Sequence, residues 1–507
     1  MEVWFIILIS LCAYFSIKSL FGLLSSSKKN GSKGKLPPGP RPLPFIGNLL
    51  WIPRNAVDLR EVINKLSHKY GPILTLTLGS EPLIFITSYS LAQQALVRQG
   101  AIFASRPAVL PISVVLSNKR KDIGATPYGP TWRVLRRNLV SEIIHPNKMD
   151  AFYPARKRVM ETLMSKITQC SKQNEVVHVN DCLHHAVFSL FILMAFGGIS
   201  DEAVKEVEDI QWELLMNYAD FSIFGFFPRL ARLLLRSRYK RYINLLKAQD
   251  DIFFPLIKAR RKLRQLKGKE LEYVSYTDSL MDLQVPGEEH KLQDDDILSL
   301  CSEFINAGAD TTTTMLQWTM AHIVKYPDVQ AKIYAEIREV LGEGKEEVKE
   351  EDLHKLTYLK AVILEVVRIH PPNTSLVPHA VTEDVEFCGY TIPKGTTVNI
   401  VTAIIGRDPK HWENPMEFNP DRLLNGSKPA EEVTDLTAFS MLPFGAGRRM
   451  CPGNGLGRLL LEYFIANLVW RFEWKPVDGA DVDLSEKEEF LVVMKTKLRA
   501  HVTKRVN

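Results

Sequence analysis

Pro443-Phe444-Gly445-Ala446-Gly447-Arg448-Arg449-Met450-Cys451-Pro452-Gly453 is the stretch that decides how this chain is read. A phenylalanine, glycines and an arginine surround a single cysteine, directly ahead of the apolar helical run Leu456–Trp470. Glycine has no Cβ, so the backbone can approach a flat cofactor closely and turn its N–H groups toward the sulfur. The helix that follows presents the positive end of its dipole, which favours thiolate over thiol. Arg449 is suited to pairing with a carboxylate on such a cofactor. A lone cysteine among glycines is ordinarily an inert buried residue. The full pattern Phe-x-x-Gly-x-Arg-x-Cys-x-Gly argues against that.

Three further constellations accompany it. Asn306-Ala307-Gly308-Ala309-Asp310-Thr311-Thr312-Thr313-Thr314 lies inside a helical pattern that begins near Asp294–Asp296 and stops at Pro327. Four threonines and a glycine are poor helix formers, so the hydrogen-bond ladder can open there and leave room for a small ligand. The alternative is a helix whose threonine hydroxyls bond back to the i−4 carbonyls. Glu365 and Arg368 share one face of a helix that Pro371 ends, among apolar neighbours. They form either an exposed pair of little consequence or a buried pair that needs further hydrogen bonds. Trp132 and Arg136, at i and i+4, align an indole N–H and a guanidinium on one side, unless they belong to a solvated basic face with Arg133 and Arg137.

The chain has 507 residues, 46% hydrophobic and 24% charged, which excludes disordered, collagenous and disulfide-scaffold classes. A prior of ~150 residues per domain suggests about three domains. No second low-complexity linker, repeat or alternating strand–helix series follows Gly47, so one globular domain is expected, mainly α with a small β portion. Ile73–Leu78 and Leu83–Thr87 read as a hairpin around Gly79-Ser80-Glu81-Pro82, and a second β-rich patch runs from Val385 to Asn399. A net charge of +6 is too small to indicate nucleic acid. The six cysteines, Cys12, Cys170, Cys182, Cys301, Cys388 and Cys451, include no Cys-x-x-Cys pair, so neither a zinc site nor a secreted disulfide framework is indicated.

Val3 to Leu24 is almost wholly apolar and long enough to cross a bilayer, with Lys28, Lys29, Lys33 and Lys35 directly after it. The positive flank predicts a signal anchor with the following domain in the cytosol; a cleaved signal peptide is the competing reading. The expected division is an anchor over 1–24, a linker and proline-rich hinge over 25–47, and the globular domain over 48–507. Leu36–Pro44 is a stiff polyproline-like strut, either a spacer or a lever that fixes orientation on the bilayer.

The cysteine loop resembles the haem-ligand loop of the cytochrome P-450 monooxygenases, whose iron is held by a cysteine thiolate. The resemblance implies that Cys451 is the metal ligand, that Arg449 is a haem-propionate partner and that Phe444 packs beside the sulfur. The threonine-rich segment is similar to the family's Ala-Gly-x-Asp-Thr stretch, which implies that Asp310 and Thr311 relay protons during oxygen activation. Phe418-Asn419-Pro420-Asp421-Arg422 is similar to a Phe-x-Pro-Asp/Glu-Arg element, which implies that Arg422 completes a structural Glu365–Arg368–Arg422 lock. Trp132 and Arg136 match the Trp-x-x-x-Arg that addresses a propionate. At His379 many relatives carry arginine, so a propionate contact there is expected to be weaker or pH-dependent.

The resemblance covers essentially the whole chain and is greatest to plant microsomal members of the family, the eighty-nine-A subfamily in particular. It implies the cytochrome P-450 fold, haem b, dioxygen as co-substrate, and an endoplasmic-reticulum, single-pass location. No nicotinamide or flavin fingerprint appears, so electrons are expected from an NADPH-dependent flavoprotein reductase, with Arg133, Arg137 and Arg448 as docking charges. Substrate contacts are expected near Phe103–Asp122, Trp212–Phe227, Cys301–Thr311, Asn373–Val377 and Lys487–Leu491, whose apolar character suits a lipophilic small molecule. Phe221, Ile223, Phe224, Phe226 and Phe227, ahead of a basic stretch, either rest on membrane lipid or cover a core edge. Two other functions also keep the haem: an isomerase or dehydratase of an oxidised lipid, whose members typically lose the acid–alcohol pair or alter the cysteine loop that this chain retains, and a membrane haem protein that organises partner enzymes, against which Asp310 and Thr311 count.

Overall fold

The computed structural model describes residues 35–53, 55–108, 121–221, 224, 233–267, 273–287, 289–342, 344–424, 440–477 and 481–505. The expected anchor, the linker as far as residue 34, the apolar residues Val109, Leu110, Ile112 and Val114, and Ile223, Phe226 and Phe227 lie outside this set.

The longer helices are α1 Ala56–Tyr70, α2 Pro130–Glu142, α3 Tyr153–Gln173, α4 Val179–Phe196, α5 Asp201–Met216 and α6 Arg236–Lys267. They continue with α7 Asp294–Lys325, α8 Pro327–Leu341, α9 Thr357–Ile369 and α10 Asn454–Arg471. Helix α7 starts where the sequence predicts. Asp294, Asp295 and Asp296 occupy its first turn, where the dipole favours negative charge, and Pro327 opens the next helix. It runs buried along most of its length between α4 and α10. One described helix is long and apolar enough to cross a membrane, α4, and 67% of it is buried within the fold as core.

The four-stranded sheet has the order β1 Ile73–Leu78, β2 Glu81–Ile86, β7 Thr397–Ile400, β4 His379–Ala380. The turn of the hairpin is shorter than the sequence suggests. Leu78 pairs with Glu81, so only Gly79-Ser80 turn the chain, and Pro82 sits opposite Thr77. Strand β7 joins from Leu83 onward, in parallel, so the proline precedes that ladder and interrupts none of its bonds. The end of the second β portion, β7, therefore joins the first in a single sheet, while Val385–Phe387 and Tyr390–Ile392 pair only with each other. The proline strut is docked on it: Thr75 donates its N–H to the Pro38 carbonyl at 2.9 Å and its hydroxyl to the Pro37 carbonyl at 2.9 Å.

The remaining strands, β3 Val177–His178, β5 Val385–Phe387, β6 Tyr390–Ile392, β8 Phe472–Pro476, β9 Glu486–Glu488, β10 Val492–Met494 and β11 Arg499–Lys504, form three small sheets. The β9–β10 hairpin brings Lys487–Leu491 across the chain to α5 and α7.

Candidate active site

The cysteine loop is held by its own backbone. Cys451 donates its N–H to the Phe444 carbonyl at 2.8 Å, and Gly447–Arg449 forms a short 3-10 turn. Gly447 has φ +68°, and a Cβ there would lie 1.9 Å from the Leu96 carbonyl oxygen, so only glycine fits. Leu376, in the expected substrate segment Asn373–Val377, packs on this loop, 3.5 Å from where a Cβ of Gly445 would stand. Helix α10 begins three residues after the cysteine. The Gly453 N–H and the Arg136 charge favour the Cys451 thiolate, but burial outweighs both and pushes the thiol above its usual value. The helix start thus acts in the expected direction without overcoming burial, and thiolate ligation would exchange the proton for a metal.

A cationic wall stands beside the loop. Arg449 lies over the Trp132 ring at 4.4 Å and donates to the carbonyls of Ala104, Ile123 and Thr126 at 2.7, 3.2 and 2.6 Å. Arg136 donates to the Met450 carbonyl at 2.5 Å. Burial and the Arg136 charge lower Arg449 to about 10. The Trp132 indole Nε1 is buried without a hydrogen-bond partner. An orphaned N–H beside two guanidinia, one of which depresses the other, is the environment a carboxylate satisfies. Cys451 for the iron, with Trp132, Arg136 and Arg449 for propionates, therefore fits haem.

His379 is buried at the start of β4. Its Nδ1 lies 2.8 Å from the Phe103 carbonyl, and burial, with the Arg106 and Arg449 charges, lowers it to about 3. The ring is neutral, with its proton on Nδ1, and its Nε2 accepts rather than donates. The donor that sequence reasoning missed is Arg106, which binds the carbonyls of Gly124, Val377 and Pro378 at 2.7, 2.8 and 2.9 Å and is lowered to about 9, mainly by burial. Its only sequence signal is an arginine before Pro107 in an otherwise apolar stretch.

On α7 the threonine-rich segment stays helical throughout, and Thr311 bonds back to the Ala307 carbonyl at 2.7 Å, so the ladder does not break. Gly308 has a packing reason instead: a Cβ there would meet the Phe191 ring at 2.0 Å. Successive helical residues point about 100° apart, so Asp310 and Thr311 face different ways. Ala307 and Thr311 keep exposure on one side. Asp310 is buried on the other, with Oδ1 3.2 Å from His184 Nε2 and Oδ2 unpartnered. It lines a small cleft open to solvent, together with Trp212, Met216, Lys487, Phe490 and Leu491, which joins three of the expected substrate segments.

The structural lock forms. Arg368 meets Glu365 through Nε and Nη2, both at 2.8 Å, and Arg422 Nε lies 3.0 Å from the same carboxylate. Asn419 N–H adds a bond at 3.2 Å, and Arg368 also donates to the carbonyls of Gly406 and Pro415 at 2.8 and 2.7 Å. Glu365 and Arg368 are completely buried, so these extra bonds offset the desolvation of the pair.

Two surface expectations divide. Arg133, Arg137 and Arg448 are exposed, and Arg133 and Arg448 converge on the Tyr128 hydroxyl at 3.2 and 2.5 Å. Phe221 and Phe224 are 1% and 4% exposed and pack with Leu214, Tyr242 and Leu245, which is the core-edge alternative of their two readings and not the membrane one.

A mainly helical fold around one cysteine, with a cationic wall beside it, defines a haem-thiolate protein. The chain belongs to the cytochrome P450 family, whose model matches residues 37–502. It is similar to cytochrome P450 89A9 of Arabidopsis thaliana, 45% identical over 93% of this chain and 94% of that one. Cytochrome P450 71B22 of the same plant is 32% identical over 96% of this chain and 98% of that one. A solved zebra fish cytochrome P450 with progesterone superposes with a TM-score of 0.74 at 25% identity, covering 88% of this chain and 99% of that one. The chain is thus a P450 of the plant 89A type, a haem monooxygenase that acts on a small molecule and takes electrons from a redox partner.

Proposed function

We propose that this chain oxidises a lipophilic small molecule in plant secondary metabolism or catabolism, with Cys451 as the metal ligand and Asp310 and Thr311 as the proton-handling pair. When bound, the haem supplies the oxygen-activating chemistry. Trp132, Arg136 and Arg449 orient it through its propionates, with Arg106 completing the positive wall. Phe444 fixes the cysteine through its carbonyl. Thr311 lies on the side of α7 that keeps exposure, and Asp310 holds its carboxylate at the cleft on the other side, so a proton taken up at the cleft reaches Thr311 across one helix. Apolar Leu376 and Val377 supply desolvation for the substrate.

The redox partner we assign is the NADPH-dependent flavoprotein reductase, met by Arg133, Arg137 and Arg448 on the thiolate side. The membrane assignment is a single-pass endoplasmic-reticulum location with the domain in the cytosol. Leu43, Phe45, Leu49, Leu50 and Trp51, all exposed around the end of the proline strut, support contact with lipid.

The observation that carries the monooxygenase reading, over an isomerase or a scaffold, is the buried Asp310 beside Thr311. Asp310→Asn is expected to slow turnover and raise peroxide formed per NADPH, with the reduced CO spectrum unchanged. Wild-type coupling in that variant overturns the proton role. Cys451→Ser is expected to abolish the red-shifted Soret band of the reduced CO complex, and an unchanged band assigns a different ligand. Titrating the ferric protein against a metabolite library, with the Soret shift as readout, identifies the substrate.

A further inference from the structure

The side of Asp310 that faces away from Thr311 carries a chain of titratable groups that the motifs do not include. His184, on α4, stands between two carboxylates: Nδ1 is 2.7 Å from Glu208 Oε1 on α5, and Nε2 is 3.2 Å from Asp310 Oδ1 on α7. Glu208 is itself met by His185 Nδ1 at 3.1 Å and by Lys205 at 3.8 Å, and the Lys205 and His185 side chains are 61% and 46% exposed. Three helices thus contribute one group each to an acid–imidazole–acid row that ends at the surface.

The cleft supplies a second observation. His184 and Asp310 both line it, with Thr313 and Gln317 one and two turns further along α7. Asp310 Oδ2, Thr313 Oγ1 and Gln317 Nε2 are buried polar atoms without a hydrogen-bond partner, spaced i, i+3 and i+7 along the same helix. Such atoms are ordinarily satisfied by water. At the mouth stand Lys487, paired with Glu489 at 2.8 Å, and Lys497, 3.5 Å from Asp181; both lysines are well exposed.

We propose that His184 is the proton carrier that recharges Asp310 from solvent, with Glu208 as the positioning residue that holds the ring charged and oriented. The imidazolium gives its Nε2 proton to Asp310 Oδ1, leaving a neutral ring whose remaining proton stays on Nδ1 toward Glu208. Water in the cleft then returns a proton to Nε2. The net transfer is one proton from bulk solvent to Asp310, with no change in oxidation state. Although burial opposes it, hydrogen bonds to Asp310 and Glu208 raise His184 to about 9, so the ring is charged at neutral pH. The groups that face it are Glu208, Asp310, His185 and Lys205, with Asp181, Lys487, Glu489 and Lys497 around the cleft.

This inference rests on the proton role of Asp310, and the test separates the two. The full chain, loaded with haem and reconstituted with reductase, is assayed for NADPH-driven oxygen consumption in H2O and D2O from pH 6 to 10. His184→Gln keeps a polar side chain of similar reach but cannot carry a proton. It is expected to slow consumption at least fivefold, to change the solvent isotope effect, and to erase the loss of rate as pH rises through about 9. The reduced CO spectrum reports that the haem site is intact. In a parallel measurement, histidine-labelled protein is titrated by NMR: His184 is expected to hold both ring protons at pH 7, and Glu208→Gln to lower its pKa. Wild-type rate, isotope effect and pH profile in His184→Gln, with Asp310→Asn impaired, overturn the His184 arm alone. If both variants behave as wild type, the role of Asp310 falls as well. A ring neutral at pH 7 also overturns the proposal.

Discussion

Gly308 of α7 and Phe191 of α4 occupy one space between them: a Cβ at 308 would lie 2.0 Å from the ring, and the Phe304 ring, one turn earlier on α7, packs on it with centroids 5.2 Å apart. The glycine in α7 is therefore the seat of a core phenylalanine, and it lets α4 approach close enough for His184 to reach Asp310.

Gly308→Ala removes the helix-propensity cost of glycine, about 1 kcal/mol, but overpacks a buried contact. A net destabilisation of about 1–3 kcal/mol is expected, read as a lower thermal midpoint. Because the two residues share the contact, adding Phe191→Leu should restore part of that loss. A fully additive double variant would mean that the ring moves aside freely.

The lock makes an unequal prediction for its two arginines. Arg368→Ala strands Glu365 in a fully buried place, so a loss of about 3–5 kcal/mol is expected. Arg422 is partly exposed and spends its Nη groups on the carbonyls of Glu413, Asn414 and Glu417. Arg422→Ala should cost about 1–2 kcal/mol, in the range of lost hydrogen bonds to a charged group. Urea unfolding of both variants checks the order.

The docking proposed for the thiolate side rests on charge. Reversing Arg133 and Arg448 to glutamate should slow electron delivery from the reductase roughly tenfold at low salt, and the difference should shrink at high salt as screening shortens the range of the charges. The reduced CO spectrum should not change. A salt-independent defect would place the contact elsewhere.

The His184–Glu208 pair also ties stability to pH. The His184 pKa is raised from 6.5 to about 9, so its stabilising contribution is full below pH 6.5 and is lost as pH rises through about 9. Glu208 is held well below the usual carboxylate range by hydrogen bonds from His184 and His185, although burial opposes them, so its contribution is present above that range and lost in acid. Glu208→Gln should therefore cost most, on the order of 1–3 kcal/mol, between about pH 5 and 6.5 and least near pH 10. Thermal midpoints across that range test the sign.

Much of the site was legible because its signals are local. The Cys451 loop, the i, i+4 pair Trp132 and Arg136, the i, i+3 pair Glu365 and Arg368, and the Asp cluster that opens α7 each lie within one element. The backbone period alone sets their faces. The family resemblance supplied the long-range step to Arg422.

What the sequence left open depends on which elements meet. Arg106 carries no local pattern because its partners come from residues 124, 377 and 378. Phe221 and Phe224 look like a membrane face until α5 and α6 close over them. His184, Glu208 and Asp310 belong to three helices, and His184 lies 126 positions from Asp310 in the chain. Residue type and spacing determined which chemistry this protein can hold. Only packing decided which charges were buried against which partners: burial moves Cys451 and His379 away from their solution behaviour, and the Asp310 and Glu208 hydrogen bonds raise His184 against it.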